Sequence, residues 1–210
     1  MNMELEILYQ DEDIVFIVKP SGISSEEETV KLLKEQLNSE IYPLHRLDKP
    51  VSGVMVYAKT KESAARMSAK ISNQKDFLKE YLVVCEGEFF EEEGEMHDLL
   101  FKDSSKNKSF VVKKERKGVK KASLSYKVLE KGSFNGKTCS LVSVKLHTGR
   151  SHQIRVQFAS RKHPLFGDGK YGSREKCPIG LFSHRIITSG QDVSKNPPKK
   201  LPWNIFKIIL

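Results

Sequence analysis

The chain has 210 residues, of which 38% are hydrophobic and 30% charged, and its 36 Lys and Arg against 27 Asp and Glu give a formal net charge of +9. That length buries a sizeable core and predicts one domain over residues 1–210, and the longest clean apolar run, Ile14–Val18, is far too short to cross a membrane. The surplus positive charge points to a polyanionic partner, nucleic acid or an anionic membrane surface.

The N-terminus lacks a basic region followed by an apolar one, so no secretory signal is read there. Cys85, Cys139 and Cys177 are widely spaced, odd in number and form no Cys-x-x-Cys pair. That argues against a disulfide framework and a thiolate zinc site and suits a reducing cytoplasm.

In chain order, Leu5–Tyr9 and Ile14–Val18 read as strands joined by a turn at Gln10-Asp11-Glu12-Asp13, with Lys19-Pro20-Ser21-Gly22 ending the second sharply. Thr29–Leu37 carries Val30, Leu33 and Leu37 at helical spacing. His45-Arg46-Leu47-Asp48-Lys49-Pro50-Val51-Ser52-Gly53 then packs a carboxylate between bases in a stretch bent by proline and glycine. It precedes the strand-like Val54–Thr60, which makes it a candidate functional loop; a merely solvated turn explains those residues equally well. Thr60 caps a predicted helix running to about Ser72.

Phe77–Val84 reads as a strand with Phe77, Lys79 and Tyr81 on one side and Leu78, Leu82 and Val84 facing the core. Seven carboxylates between Glu86 and Asp98 precede nine Lys or Arg between Lys102 and Lys121. This pair of runs predicts a polar surface arm whose cations track phosphates, without the apolar stripe of a membrane-surface helix. Ala122–Leu129 and Thr138–Leu146 read as strands joined by the turn Phe134-Asn135-Gly136-Lys137. Ser151 is the predicted N-cap of a helix with Ile154, Phe158 and Ala159 on its apolar face. A glycine-rich loop, Leu165–Gly172, a short strand at Leu181–Ile186 and a Trp203–Leu210 tail apolar enough to dock complete the chain. Strands outnumber helices without alternating with them, so the expected fold class is α+β with a largely antiparallel mixed sheet flanked by helices and loops.

Several chemistries lack their motifs. There is no Walker-type or dinucleotide-binding glycine loop, no Gly-x-Ser-x-Gly elbow and no His-Glu-x-x-His. His147 and His152 lie across a predicted turn rather than on one strand face, so hydrogen bonding or phosphate contact is their better reading. One distinctive Asp, dispersed Arg residues and a strand Tyr remain.

His45-Arg46-Leu47-Asp48-Lys49-Pro50-Val51-Ser52-Gly53 resembles the His-Arg-Leu-Asp-x-x-Thr-Ser-Gly signature of the RluA-like RNA pseudouridine synthases. The opening Leu8–Ile14 with Lys19-Pro20-Ser21-Gly22, the Lys79-Glu80-Tyr81-Leu82 strand, and Thr148–Arg155 with His163-Pro164 and Gly167-Asp168-x-x-Tyr171-Gly172 match the same family in order. Val51 replaces the usual Thr, Leu181–Arg185 departs from the usual Leu-x-Leu-His-Ala, and the segment after Ser21-Gly22 is acidic and lacks a frequent His. These departures leave the Asp, Tyr and Arg intact and bear on substrate preference. The chain reads as the catalytic domain alone, without the separate N-terminal RNA-binding domain of many relatives.

The resemblance implies a pseudouridine synthase-like fold and isomerisation of uridine in tRNA or rRNA, with no cofactor and no metal. It makes Asp48 the catalytic residue, as nucleophile or as the base that starts glycal formation. Tyr81 stacks on the flipped base, and Arg155, presented from its helix, partners Asp48. Arg46 fills the gap left by the extruded uridine. Lys49 and Arg150 contact phosphates, and His45, His152 and Ile154 complete the substrate-binding set, although a hydrogen bond that orients the loop is the simpler role for His45. No obligatory protein partner and no membrane are implied, and a monomer is the simplest expectation. The alternatives are a catalytically inactive RNA-binding or remodelling member of the same fold and a different glycosidic or phosphodiester enzyme, such as a metal-dependent nuclease.

Overall fold

Two apolar runs separated by a polar turn hide their backbone groups best by pairing with each other. β1 (Glu6–Gln10) and β2 (Ile14–Lys19) do so as an antiparallel hairpin. Asp11 Oδ1 accepts the N–H groups of Asp13 and Ile14 at 2.8 Å each to set its turn. The computed structural model describes residues 3–72, 76–89, 91–188 and 190–207. The chain falls into two compact units, Met1–Lys79 with Phe182–Pro197, and Glu80–Leu181 with Pro198–Leu210. Among the described residues the helices are three and the strands mostly antiparallel, so the α+β expectation holds. None of these helices is long and apolar enough to cross a membrane.

In the first unit β2 pairs antiparallel with β4 (Ser52–Ala58), from Lys19 opposite Gly53 to Ile14 opposite Ala58. β3 (Tyr42–Pro43) pairs with the far end of β4, and β10 (Leu181–Thr188) runs parallel to its beginning. That parallel contact is very close. Gly53 has φ +126°, and a Cβ there would lie 2.3 Å from the Ser183 carbonyl oxygen, so the signature glycine is a packing requirement. α1 (Glu28–Leu37) buries Thr29 and Leu33. α2 (Lys61–Ser72) begins as expected, with Thr60 Oγ1 accepting the Ser63 N–H at 3.0 Å. Its Met67 packs with Ile14, Phe16, Val54, Val56, Phe77 and Ile186 into one apolar core.

In the second unit the strands pair in the order β5 (Phe77–Glu86, from Glu80 on), β9 (Lys137–Leu146), β8 (Val119–Phe134), β6 (Glu93–Asp103) and β7 (Lys108–Val112), each pair antiparallel. Asn135 and Gly136, both at positive φ (51° and 75°), make the predicted hairpin turn. α3 (Gln153–Ser160) covers β6 and β8 through Val156, Leu100 and Ala122. The tail docks through Phe206 beside Trp203 and Ile205; Ile208, Ile209 and Leu210 lie outside the described residues.

Three expectations change. The residues read as a polar arm form β6, β7 and the start of β8, because Met96, Leu100 and Leu124 turn inward and bury a face among the charges. β5 is buried on both faces from Tyr81 to Cys85, not on one. Ser151 is not the N-cap of α3: His152 takes that place at φ 53° without a side-chain bond to the helix.

The edge of β4 needs filling between β3 and β10. There Ser183 Oγ donates to the Val54 carbonyl at 2.8 Å, and His45 Nε2 accepts the Val56 N–H at 3.2 Å. An Nε2 that accepts must be unprotonated. Burial, helped by the Lys79 charge, lowers the His45 pKa from 6.5 to about 3. Between those values the unfolded chain binds a proton that the folded chain refuses, so stability is full above pH 6.5 and falls as pH drops. From pH 7 to 4.5 the protein should lose about 2–3 kcal/mol more than a His45→Gln variant, at about 1.4 kcal/mol per pK unit. Urea unfolding at both pH values measures this, and equal losses in the two proteins would refute it.

Candidate active site

The first unit carries His45, Arg46, Asp48 and Lys49 on the loop between β3 and β4, and the fold pins that loop along its length. Ser25, itself buried, uses one hydroxyl to accept the Leu47 N–H at 3.0 Å and to donate to the Leu47 carbonyl at 2.9 Å. The buried Tyr57 hydroxyl donates to the Ser25 carbonyl at 2.9 Å, and burial pushes that phenol's pKa up. On the other side the Gly22 N–H donates to the Lys49 carbonyl at 2.8 Å and Ser21 Oγ to the Pro50 carbonyl at 2.7 Å. The Val51 N–H closes a turn on the Asp48 carbonyl at 2.9 Å.

Beneath the loop lies Lys19, at 0% exposure. Its ammonium donates to the carbonyls of Pro20 at 2.8 Å, Ile23 at 2.9 Å and Lys49 at 3.4 Å. Burial lowers its pKa to about 8, against the opposing pull of the Glu28 and Asp48 charges. The half-buried Asp48 thus sits on a turn fixed from both sides and from below. The flanking cations meet carboxylates: Arg46 Nη1 lies 3.2 Å from Glu26 Oε2 and Lys49 Nζ 3.0 Å from Glu28 Oε2. The Ser24 N–H and Lys49 hold the Glu28 carboxyl below its ordinary pKa.

The second unit carries the other predicted residues. Tyr81, opposite Val144 of β9, is buried. Arg155, on α3, forms a buried bidentate pair with Asp168, Nε to Oδ2 at 2.7 Å and Nη2 to Oδ1 at 2.8 Å. Such a fork fixes the plane of the guanidinium as well as its place. The Tyr171 ring lies 5.2 Å from the Arg155 guanidinium and 5.0 Å from Lys108 Nζ. The Tyr171 hydroxyl accepts the Ser109 N–H at 2.9 Å and lies 2.9 Å from His152 Nδ1. Arg150 Nε donates to the Lys121 carbonyl at 2.9 Å. Gln153 Oε1 accepts from the Arg150 N–H at 3.0 Å and Thr148 Oγ1 at 2.7 Å, so a glutamine fixes the turn into α3. Ile154 is buried.

Cations crowd the connection from β7 to β8 and the first residues of β8, where Lys113, Lys114, Arg116, Lys117, Lys120 and Lys121 are exposed. The Arg116 guanidinium stacks 4.8 Å from the Phe101 ring, and Lys121 Nζ lies 3.5 Å from Glu115. Among the described residues no three His, Cys, Asp or Glu side chains converge as a metal site requires.

Sequence reasoning left Lys19, Ser25, Asp168 and Tyr171 without roles. Lys19, Asp168 and Tyr171 stand inside the matched motifs, which was the available signal. Ser25 gave none, because its bonds go to backbone far along the chain.

The RNA pseudouridylate synthase family model matches residues 13–160. The tRNA pseudouridine synthase C of Haemophilus ducreyi is 34% identical over 190 residues, covering 81% of this chain and 75% of that protein. The ribosomal large subunit pseudouridine synthase D of Borreliella burgdorferi is 34% identical over 220 residues, covering 95% of this chain and 64% of that one. Among solved structures, Human RNA Pseudouridylate Synthase Domain Containing 1 is similar with a TM-score of 0.80 and 25% identity, covering 95% of this chain and 86% of that one. On this family match and these identities, the chain belongs to the RluA-like family of RNA pseudouridylate synthases.

Proposed function

We propose that this enzyme isomerises one or a few uridines in structured tRNA or rRNA and that Asp48 starts the reaction on the flipped-out nucleotide. The supporting observation is the seat of Asp48. Its loop is clamped through Leu47, Lys49 and Pro50 by side chains and backbone of residues 19–25, which pre-organises a carboxylate for work on a sugar or a base. The reaction balances without an added reagent. The bond from uracil N1 to C1′ breaks, a bond from C5 to C1′ forms, and the hydrogen at C5 leaves to solvent while N1 gains a proton. Asp48 acts as nucleophile at the sugar or as the base that withdraws its proton. The family resemblance gives Tyr81 to the base and makes Arg155 the partner of Asp48. It gives Arg46, Lys49, Arg150 and His152 to RNA, Arg46 entering the stack that the uridine leaves.

The test is tritium release from cellular RNA labelled at uridine C5 and isolated from cells lacking this protein. Asp48→Asn should lower release by about a thousandfold or more while thermal unfolding stays close to that of the parent. Full release by the variant overturns the role of Asp48, and no release by the folded parent overturns the reaction.

The exposed cations between β7 and β8 supply the backbone contacts of the same RNA. Replacing Lys113, Lys114 and Lys117 together by Glu should raise KM by about tenfold and flatten the salt dependence of RNA binding by about two to three units of slope. kcat should be unchanged at saturating RNA. A loss confined to kcat would assign these residues elsewhere.

A further inference from the structure

The acidic segment Ser24-Ser25-Glu26-Glu27-Glu28 contacts the His45–Lys49 loop at three points. Ser25 holds the Leu47 backbone, Glu26 pairs with Arg46 on one side of Asp48, and Glu28 pairs with Lys49 on the other. Glu28 is built in: its carboxylate also accepts the Ser24 N–H at 2.8 Å, while Ser24 Oγ accepts the N–H of Glu28 at 3.0 Å, a reciprocal pair of bonds that closes the turn leading into α1. Glu26 has no comparable structural duty among the described contacts; its side chain, 54% exposed, reaches Arg46. Both cations flanking Asp48 therefore face a carboxylate of this chain, in a protein whose overall charge is +9.

We infer that Glu26 and Glu28 are a built-in competitor for RNA at the cations beside Asp48, setting the affinity an RNA must bring before it holds the loop. The inference rests on the reading that RNA is the substrate. A phosphate that bonds Arg46 or Lys49 must share the cation with the carboxylate already on it or displace that carboxylate, and repulsion between the two anions weakens its hold. Exposed ion pairs are individually weak, so the carboxylates yield to an RNA that gains contacts elsewhere, and they exclude one that offers phosphates alone. Occupancy of the loop depends on absolute affinity against the RNA present. Lowering that affinity empties the loop of RNA lacking further contacts and leaves it open to the substrate.

The experiment measures binding of a uridine-free oligocytidylate of about 20 nucleotides, which cannot turn over, across a salt series. Glu26→Gln with Glu28→Gln should tighten binding by about five- to twentyfold at 0.1 M salt. The salt slope should steepen by one to two beyond that of a control with the same charge change, Glu12→Gln with Glu62→Gln. Adding Arg46→Ala to Glu26→Gln should remove that variant's gain. Equal tightening in the control would show a bulk charge effect and overturn the inference, as would no tightening in the Glu26 and Glu28 variant. Circular dichroism and thermal unfolding verify that each variant is folded, and Glu26→Gln alone, which leaves the Ser24–Glu28 bonds intact, serves if Glu28→Gln destabilises. Tritium release by the parent is measured in parallel. Its absence alongside the predicted binding shift would sink the isomerase reading and not this one, whereas release without the shift would sink this one alone.

Discussion

A buried ammonium holds the candidate site of the first unit together. Lys19 ends β2, and with no exposed surface its charge must be satisfied by the protein. Three carbonyls answer it, two from the turn after β2 and one, Lys49, from the loop that bears Asp48. Two chain segments 30 residues apart are thereby fixed to one atom. Burial has already drawn its pKa down to about 8, and the Glu28 and Asp48 charges are what oppose a further fall. The carboxylates that surround the loop therefore help to keep the cation under it charged, and the cation holds the backbone that presents them. Geometry and electrostatics in this loop share one cause.

The second unit solves a similar problem with a different device. Arg155 and Asp168 are both buried, and neither charge would be tolerable there alone; the bidentate fork satisfies both. The Tyr171 ring and hydroxyl then tie this pair's neighbourhood to β7 through Ser109 and to the turn before α3 through His152. A guanidinium held by a fork is restricted in plane and direction, which a lysine ammonium in the same place would not be. That restriction is the physical content of having an arginine in the Thr148–Arg155 block.

How much of this was legible depended on whether the signal was local. The Asn135-Gly136 hairpin, the β1–β2 turn and the Thr60 cap were readable because each is a dihedral or a hydrogen bond decided within a few residues. The Asp48 loop was readable because its bend, its charge and its family pattern coincide within nine residues. β6 and β7 were not, since charged side chains on the outer face mask an inner face that shows fully buried apolar residues only at Met96 and Leu100 along β6. Nor was the cap of α3, where Gln153 satisfies the turn from inside the helix and leaves the conventional serine signal idle. Lys19 looked like the polar end of a strand because nothing in its neighbours announces carbonyls arriving from Lys49.

The formal charge of +9 is unevenly spent across these settings. At the Asp48 loop the cations are matched by Glu26 and Glu28, so that stretch offers an incoming polyanion little net attraction until those pairs open. Between β7 and β8 the cations outnumber their carboxylates, with Glu115 close to Lys121 and Phe101 beneath Arg116. Long-range attraction depends on net charge over a Debye length of about 8 Å at physiological ionic strength, whereas placement of a single nucleotide depends on which side chains are available at contact. At the Asp48 loop the paired charges leave placement to specific contacts at close range, whereas at the crowded lysines the surplus charge acts on any polyanion nearby.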